Sequence, residues 1–315
     1  MSTISLAVTS YNQLDLLKIG LASVEQQTRP FDEVIVVDDC STDGSQAFLE
    51  AWASEGPNRI FLKNPVNAGR SVTRNRGMDA ARMEYLAVLD GDDWFEPNAV
   101  EEILAAIERA RTDMVFFGYN SFDHARGVVV PKTHGSAFYT QAPLACALPR
   151  TDEEIKDLFR MLPTAWMKVY KRAFLQNQNL RSTGLLYEDI VWTLKCIALA
   201  DSMSCIQNTL INYRMHAGSF LHLCSDTHFC IFDVSDECED FLSEHPGIST
   251  SIKQASRRFR FNISTNALLN TNRLPETSKP RYAKEILARG ELTAFDLDVR
   301  EQEVLEAVKA VASRG

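Results

Sequence analysis

The chain has 315 residues, of which 45% are hydrophobic and 24% are charged, and its formal net charge is −9. This composition is typical of a soluble globular protein and excludes a disordered chain. The negative charge excludes broad nucleic-acid binding, which needs a basic surface to neutralise phosphates.

The spacing of the cysteines and the length of the apolar runs indicate the cellular compartment of the protein. The seven cysteines lack CxxC pairs, so neither a disulfide framework nor a zinc ribbon is predicted. His222-x-Cys224 and His228-x-Cys230 leave zinc ligation open beside the alternative of packed thiols, although this spacing matches no usual ligand pattern. The N-terminal segment lacks the basic region of a signal peptide, and no apolar run is long enough to cross a membrane. We therefore expect a cytoplasmic protein.

The first part of the chain alternates short apolar runs with helical patterns. The runs are rich in Val, Ile, Leu and Phe, as expected for strands buried on both faces; they lie at 4–8, 33–37, 60–62, 85–89 and 114–117. The clearest helix begins at Pro97. Strands separated by helices predict an α/β fold with a mainly parallel sheet.

Later segments are predicted to be mostly helical. Thr151 and Glu154 form a capping-box signature before an apolar stripe, and another helix should start near Tyr187. Residues 118–150 hold no strong helical pattern and should supply loops and additions to the sheet. From about residue 228 the pattern is helical again, so we expect a domain of residues 1–225 followed by a helical extension of residues 226–315.

The predicted extension contains a basic segment from Lys253 to Arg289. Nine Lys or Arg residues stand there against two Glu, a local charge of +7. A solvated helix face is one interpretation, and contact with anionic lipid or an anionic acceptor is the other. The second interpretation would place the protein at the inner face of the membrane.

Acidic residues follow two of the predicted strands. Asp39 follows the strand at 33–37, and Asp90 and Asp92 follow the strand at 85–89. Ligands of open parallel sheets bind beyond the carboxyl ends of the strands, so both groups should line one edge. Thr9 leaves the first strand at the same edge. This edge predicts a nucleotide pocket.

The residue types at this edge suit a divalent cation. Magnesium is commonly held by one or two carboxylates while phosphate oxygens fill other positions, and Asp92 offers such a carboxylate. Gly91 lets the backbone turn tightly and approach a ligand. An acidic surface turn is the alternative interpretation.

The segment from Asn67 to Gly77 carries three arginines after a glycine. Arg70 and Arg74 are four positions apart, so they share a helix face and could reach diphosphate oxygens or ribose. Solvated arginines are the alternative.

Together these motifs resemble those of a known family, the family 2 inverting glycosyltransferases. The motifs are, in chain order, Thr9-Ser10-Tyr11-Asn12, Val37-Asp38-Asp39-Cys40-Ser41-Thr42-Asp43-Gly44-Ser45, Asn67-x-Gly69, Arg74-Asn75-x-Gly77 and Leu89-Asp90-Gly91-Asp92-Asp93. The resemblance spans roughly residues 3–220 and implies the Rossmann-like glycosyltransferase-A fold, in which helices flank the sheet.

The resemblance also implies roles for individual residues. Tyr11 would stack on the nucleobase, and Asp39 would hydrogen-bond its imide edge, which favours uridine. Asp90 would contact the ribose, and Asp92 would bind the metal. The donor-binding residues expected altogether are Thr9, Tyr11, Asn67, Asp39, Arg70, Arg74, Asp90, Gly91 and Arg214.

An inverting transfer needs a base that removes the proton of the attacking hydroxyl. Tyr187-Glu188-Asp189-Ile190 resembles the Glu-Asp motif of the family. By this resemblance Asp189 would be the base, and Glu188 would hold an acceptor hydroxyl or tune Asp189. The alternative is that both acids merely favour the positive end of the following helix.

Two further segments carry the resemblance toward the end of the matched region. Trp166 either lines the sugar site or is a core aromatic. Tyr213 to Ser219 resembles the Tyr-Arg-x-His-x-x-Ser element, in which His216 would ligate the metal or donate to diphosphate, or would be structural. A Gln-x-x-Arg-Trp element is missing, which disfavours a processive membrane synthase.

The sequence therefore predicts a metal-dependent inverting glycosyltransferase that uses manganese or magnesium. It would move one sugar from a nucleotide donor, with UDP favoured, to a saccharide or lipid-linked hydroxyl, by resemblance in bacterial surface-polysaccharide assembly. A nucleotidylyltransferase is one alternative, disfavoured because no Gly-rich basic loop follows the first strand. A non-catalytic saccharide-binding or scaffolding subunit is another. The sequence leaves open whether the chain forms a homo-oligomer.

Overall fold

A computed structural model of the protein describes residues 1–131, 155, 158–159, 164–184, 186–216, 219, 223–290 and 298–314. The chain divides into two compact units. The first consists of Met1–Glu154, Pro163–Gly184 and Glu188–Met215, and the second of Ile155–Leu162, Leu185–Tyr187 and His216–Gly315. The second unit thus begins earlier than the expected start at residue 226 and takes in two short earlier segments.

The first unit is built on one sheet. Numbered along the chain, its strands are β1 (Ile4–Ser10), β2 (Glu33–Asp38), β3 (Arg59–Lys63), β4 (Tyr85–Asp90), β5 (Trp94–Phe95), β6 (Met114–Asp123), β7 (Val128–Pro131), β8 (Lys168–Lys171) and β9 (Met203–Met215). Within the described residues their spatial order is β3-β2-β1-β4-β8-β6-β9-β5, and β7 pairs with the outer part of β6.

The expected parallel arrangement is found for β3, β2, β1 and β4, and again between β6 and β9. All residues of β1 and β2 are buried, since the sheet is covered on both faces there. By contrast, β8 runs antiparallel to both β4 and β6, and β5 runs antiparallel to β9. The sheet is therefore mixed beyond β4.

Helices of the first unit connect these strands. They are α1 (Leu14–Glu25), α2 (Ser45–Ser54), α3 (Arg70–Ala80), α4 (Ala99–Ala110), α5 (Arg172–Asn177) and α6 (Glu188–Leu199). The helix expected from Pro97 is α4, which begins at Ala99 and buries Val100, Ile103 and Ile107. The helix expected near Tyr187 is α6. The capping box of Thr151 and Glu154 lies outside the described residues.

The region predicted to add to the sheet does so as far as it is described. β6 continues to Asp123 and turns at Gly127 into β7, so residues 118–131 extend the sheet. Residues 132–150 lie outside the described residues. Residues 118–131 contain strands and a turn but no helix, in agreement with the lack of a strong helical pattern in their sequence.

The predicted helical extension is confirmed in the second unit. Its helices are α7 (Cys230–Glu244), α8 (Thr250–Leu269), α9 (Lys279–Arg289) and α10 (Val299–Ala312), with short 3₁₀ turns at Asp226–Phe229 and Glu276–Ser278. An aromatic cluster joins α7 to α9, because the Tyr282 ring lies 4.7 Å from that of Phe232 and 5.0 Å from that of Phe229. Asp298 begins α10 with a capping box that includes Glu301.

Most cations of the basic segment are paired with acids inside the second unit. At least six of the nine form ion pairs; they are Arg257, Arg258, Arg260, Lys279, Arg281 and Arg289. Five of these six reach acids outside the segment on neighbouring helices or turns, and Arg260 is completely buried. The free positive charge of this segment is therefore smaller than the sequence count, and contact with anionic lipid or an anionic acceptor stays a prediction.

Two further predictions concern membrane-spanning helices and a zinc site. Among the helices within the described ranges, none combines the length and apolar character needed to span a bilayer. His228, named above as a zinc alternative, is completely buried. Its Nδ1 lies 2.7 Å from the Tyr187 hydroxyl, and its Nε2 lies 2.8 Å from the Leu223 carbonyl. His228 is therefore a hydrogen-bonded core residue, while His222 lies outside the described residues.

Candidate active site

The carboxyl ends of β1, β2 and β4 meet at one edge of the sheet. Thr9 pairs with Asp90 in the β1–β4 register, and its hydroxyl donates to Asp90 Oδ1 at 3.2 Å. Beyond the strand ends, the Asp39 N–H donates to the Ser10 carbonyl (2.8 Å), and the Gly91 N–H donates to the Thr9 carbonyl (2.9 Å). Both acidic groups therefore lie at one edge of the sheet.

Asp39 organises the loop that precedes α3. Its Oδ1 accepts from the Asn64 amide (2.7 Å) and the Ala68 N–H (2.8 Å), and its Oδ2 accepts from the Gly69 N–H (2.8 Å). Burial raises the pKa of Asp39, but these donors lower it more, so the carboxyl is held below its ordinary value. A carboxylate accepts about four hydrogen bonds, so Oδ2 can still accept one from a nucleobase imide.

The acidic turn after β4 is tightly packed. The Asp93 N–H donates to the Asp90 carbonyl at 3.0 Å, and a Cβ on Gly91 would lie 2.7 Å from the Thr9 carbonyl oxygen. Asp93 is 1% exposed, and burial together with Asp92 and Asp90 raises its pKa well above the ordinary value. Three neighbouring carboxylates therefore repel one another in this turn.

Arg214 braces the same turn from β9. Its Nε donates to the Asp92 carbonyl at 2.7 Å, and its guanidinium lies 4.5 Å from the Trp94 ring and 5.3 Å from the Phe122 ring. Its Nη1 lies 3.2 Å from His124 Nδ1. Arg214 therefore positions the acidic turn, a role that the sequence did not predict, while its expected contact with the donor stays a prediction.

Arg74 joins the two halves of the site. This completely buried side chain on α3 donates from Nη1 to Asp189 Oδ1 (2.8 Å) and Glu188 Oε1 (3.2 Å). Its Nη2 lies 3.4 Å from Asp90 Oδ1. Burial opposes its charge, yet the three acids more than offset this, so the pKa of Arg74 is raised. The Glu-Asp pair and the acidic edge are thus linked by one guanidinium.

The two arginines of α3 differ in environment. The interpretation of a solvated side chain is wrong for Arg74, which has no exposed surface, whereas Arg70 is 52% exposed with its Nη1 3.7 Å from Glu188 Oε1. Both lower the pKa of Asp90 below its ordinary value, although burial acts in the opposite direction. A direct contact of either arginine with a donor stays a prediction.

Glu188 and Asp189 occupy the first turn of α6, as expected. Burial and the neighbouring Asp189 raise the pKa of Glu188 to about 6, and Arg74 and Arg70 only partly oppose this. Since both acids also bond Arg74, their role is more than a favourable interaction with the helix end. One oxygen of Asp189 is anchored, and its side chain is still 15% exposed.

The remaining predicted residues lie in varied surroundings. Tyr11 is 47% exposed and Asn67 is exposed, so both are accessible to a ligand. Trp166 is 2% exposed and stacks on Tyr213 at 5.3 Å, which identifies it as a core aromatic. His216 follows β9 directly and belongs to the second unit, so its part in the site stays a prediction.

Two residues at the site were missed by the sequence analysis. Asn64 bonds Asp39 and also Thr73 Oγ1 (3.0 Å), and its signal was available, since it is the polar residue directly after β3 at the same edge. Ser182 lies 3.4 Å from Arg74 Nη1 and exchanges two hydrogen bonds with Asn75. No sequence pattern distinguishes Ser182 from other loop serines.

The described residues contain no group of three or more His, Cys, Asp or Glu side chains arranged to hold a metal ion. Two features of the acidic turn nevertheless suit a cation. Asp92 is partly exposed at the edge, and Asp93 Oδ2 is buried without a hydrogen-bond partner among the described residues. Since magnesium is often bound by one or two carboxylates plus phosphate oxygens, the donor set fits such an ion.

Comparisons with known proteins agree with this geometry. The family model described as Glycosyl transferase family 2 matches residues 5–169. EpsH of Bacillus subtilis is 29% identical over 224 residues, covering 69% of this chain and 62% of that protein. The succinoglycan biosynthesis protein ExoO of Rhizobium meliloti is 29% identical over 294 residues, covering 90% of this chain and 81% of that protein. The chain therefore spans less than two thirds of the length of EpsH.

A solved structure shares the fold. The crystal structure of residues 1–349 of TarS from S. aureus, in complex with UDP-GlcNAc, matches with a TM-score of 0.70 at 19% identity. The match covers 90% of this chain and 79% of that chain. The expected glycosyltransferase-A architecture is thereby confirmed.

Proposed function

Because the chain belongs to glycosyl transferase family 2, we propose that it transfers one sugar from a UDP-sugar to a hydroxyl of a saccharide or glycolipid, with inversion at the anomeric carbon. The observation that carries this proposal is the linkage made by Arg74. It brings the candidate base Asp189 within hydrogen-bond distance of the guanidinium that also lies against Asp90 at the nucleotide edge.

The side chains suit a single displacement. Asp189 would accept the proton of the acceptor hydroxyl through its unanchored Oδ2, while the acceptor oxygen forms a bond to the anomeric carbon. The bond from that carbon to the diphosphate oxygen breaks, and UDP leaves with the electron pair. Attack from the side opposite the leaving group inverts the configuration.

Residues of the acidic turn would hold a divalent cation. Asp92 would supply the ligand, and the buried Asp93 Oδ2 would bind either the ion or one of its water molecules. Such a cation neutralises negative charge on the diphosphate when bound. The turn itself is already ordered by Arg214 and the Thr9 carbonyl, which keeps Asp92 at the sheet edge.

Two observations support uridine and a polysaccharide context. The structure of TarS that shares this fold contains UDP-GlcNAc. ExoO, which aligns with 90% of this chain, is named for succinoglycan biosynthesis. In this protein the exposed Tyr11 ring and the remaining acceptor capacity of Asp39 suit a nucleobase with an imide N–H.

A donor screen tests the proposal. Thermal unfolding is measured with Mn²⁺ and each of UDP, GDP, UDP-glucose, UDP-galactose, UDP-GlcNAc and GDP-mannose, since a ligand that binds the folded state raises the melting temperature. UDP release is then measured with the preferred sugar nucleotide, with and without saccharide acceptors. Asp189→Asn is the matched variant, because it keeps the size of the side chain and removes the base.

We expect stabilisation by UDP and UDP-sugars but not by guanosine nucleotides, and UDP release by the parent but not by Asp189→Asn. Binding of UDP-sugars without turnover under any acceptor condition would instead favour a non-catalytic saccharide-binding subunit. Absence of any nucleotide effect would contradict the proposal as a whole.

A further inference from the structure

Arg74 is a charged side chain of the site that has no exposed surface. Its guanidinium contacts carboxylates from two separate segments, Glu188 and Asp189 on α6 and Asp90 at the end of β4. Burying an arginine is costly unless its charge is compensated, so a side chain serving only to fill the core would be apolar here.

The Arg74 contacts also decide which atom of the candidate base is available. Asp189 Oδ1 is engaged by Arg74 Nη1 at 2.8 Å. Ser182 Oγ lies 3.4 Å from the same nitrogen and 3.1 Å from Ser71 Oγ, so the guanidinium is itself held in place. With Oδ1 anchored, and with no hydrogen bond to Oδ2 from the residues that the structure describes, Oδ2 is the oxygen left to accept a proton.

We infer that Arg74 is a positioning residue, which holds a positive charge against the Glu188–Asp189 pair, orients Asp189 for proton abstraction and ties this carboxylate to Asp90 at the donor edge. The inference rests on the proposed function, because it assigns to Arg74 a task in that transfer reaction. Arg74 would act through Asp189 and need not touch either substrate.

Several charged or titratable groups surround the Glu188–Asp189 pair, and each affects the pH response. They are Arg70 and Arg74 on α3, Asp90 on β4, and Lys168 and Tyr170 on β8. Arg74 is a cation that contacts both acids of the pair, at 3.2 Å and 2.8 Å. Its removal should therefore change the protonation of the pair more than removal of a more distant cation.

The test is the pH dependence of kcat/KM for UDP release with acceptor, in the parent and in Arg74→Gln and Arg74→Lys. Loss of the neighbouring positive charge makes protonation of the pair easier, so Arg74→Gln should move the acidic limb of the profile upward by about 1 to 3 pH units. Activity of this variant should recover as the pH rises. Arg74→Lys keeps the positive charge, so the acidic limb of its pH profile should coincide with that of the parent. Its kcat should be lower, because an ammonium group cannot contact the acids of α6 and Asp90 at the same time, as the guanidinium does.

Arg76→Gln is the matched control on the same helix. Arg76 bonds the Lys63 carbonyl (2.5 Å) and Asn64 Oδ1 (2.8 Å), and within the described part of the chain it forms no ion pair with the acids of α6. The acidic limb of the kcat/KM profile of Arg76→Gln should coincide with that of the parent. If Arg74→Gln fails to fold, the double variant Arg74→Gln/Glu188→Gln takes its place. The double variant also removes the buried negative charge of Glu188, so fewer buried charges are left without a partner.

The outcomes separate this inference from the proposed function. An active parent with an upward-shifted limb in Arg74→Gln and an unshifted limb in Arg74→Lys supports the positioning role. An active parent whose Arg74→Gln variant loses kcat equally at every pH overturns that role and leaves the transferase standing. A parent that turns over no sugar nucleotide overturns both.

Discussion

The carboxylate of Asp93 accepts a 2.8 Å hydrogen bond from the backbone N–H of Arg214, a residue 121 positions later in the sequence. The acidic turn after β4 is thus fixed from β9 on one side and from the Thr9 carbonyl on the other. Arg214 also holds the backbone of Asp92, because its Nε donates to the Asp92 carbonyl at 2.7 Å, so the turn that carries this carboxylate is fixed at the sheet edge.

The tight turn predicts that Gly91→Ala will damage the site. The added Cβ would lie 2.5 Å from Gln13 Nε2 and 2.7 Å from the Thr9 carbonyl oxygen, which cannot retreat without breaking its bond to the Gly91 N–H. We expect a loss of about 1 to 3 kcal/mol in the free energy of unfolding, as for other overpacked positions. Denaturant unfolding and UDP binding should both be measured.

Gly127→Ala is the control for this substitution. Gly127 has φ +68 in the β6–β7 turn and open space around its Cβ position, so alanine there adds strain without a clash. It should cost about 1 kcal/mol and leave UDP affinity unchanged. Equal UDP affinity in the Gly91 and Gly127 variants would contradict the importance of the acidic turn.

Removal of a divalent cation should abolish transfer if the acidic turn holds it. We expect EDTA to stop UDP release and Mn²⁺ to restore it. In calorimetric titrations with Mn²⁺ and UDP, Asp92→Asn should weaken metal binding by more than about tenfold, a loss at least as large as that typical when a group that hydrogen-bonds a metal ligand is removed. Asp189→Asn should bind Mn²⁺ as the parent does, because it alters the base and not the turn.

The stability of the second unit should fall in mild acid because of His228. Burial lowers the pKa of this histidine below 6.5, and both ring nitrogens are already bonded. Above pH 6.5 the imidazole is neutral in both the folded and unfolded chain. As the pH falls further, the unfolded chain takes up the proton more readily, so stability is lost until the lower folded-state pKa has been passed.

The measurement is the melting temperature at pH 7.5 and 5.5, values that bracket the ordinary pKa of about 6.5. His228→Gln should reduce the difference between the two melting temperatures. His245→Gln, which replaces a less buried histidine of the same unit, should retain the difference seen in the parent. An unchanged difference in the His228 variant would exclude this histidine as the cause.

Glu239 should be important for the second unit. Its carboxylate accepts from Arg257 Nε (2.9 Å) and also pairs with Arg260, which is completely buried. Glu239→Ala removes this acid from the buried guanidinium, at a cost on the order of 2 to 3 kcal/mol, below the usual range for buried pairs because Glu239 is partly exposed. Urea unfolding measures the difference.

Asp236→Ala is the comparison for Glu239. Asp236 is 61% exposed and pairs with Arg289 at 2.7 Å, so its loss should cost less than about 1 kcal/mol. A cost for Asp236 as large as that for Glu239 would mean that burial of the partner arginine is unimportant.

The strands and the acidic edge were predictable because the chemistry is local. Apolar runs ending in Asp mark β2 and β4, and parallel strands bring their carboxyl ends to one edge whatever the rest of the chain does. The antiparallel strand between β4 and β6 was not predictable. It is four residues long, Lys168–Lys171, and its first lysine is fully buried and lies 5.5 Å from the Phe116 ring, contrary to the usual pattern of lysine.

Burial of Arg74 was likewise beyond sequence reasoning. Arg70 and Arg74 share a helix face and an equal charge, so spacing predicts the same surroundings for both. Which one is enclosed depends on α6, whose acids stand more than a hundred positions later and pair with Arg74 at 2.8 to 3.2 Å. Pairing partners so distant in sequence leave no periodic signal.

The pairing of β6 with β9 is irregular around Gly118. Phe116 pairs with Cys205, Gly118 with Thr209 and Tyr119 with Ile211, so β9 carries extra residues there. Gln207 and Asn208 within this bulge are exposed. A bulge absorbs changes in length without reversing which face each neighbour occupies. Shortening β9 at 207–208 would thus be tolerated, whereas a deletion at 203–205 would turn its core residues outward.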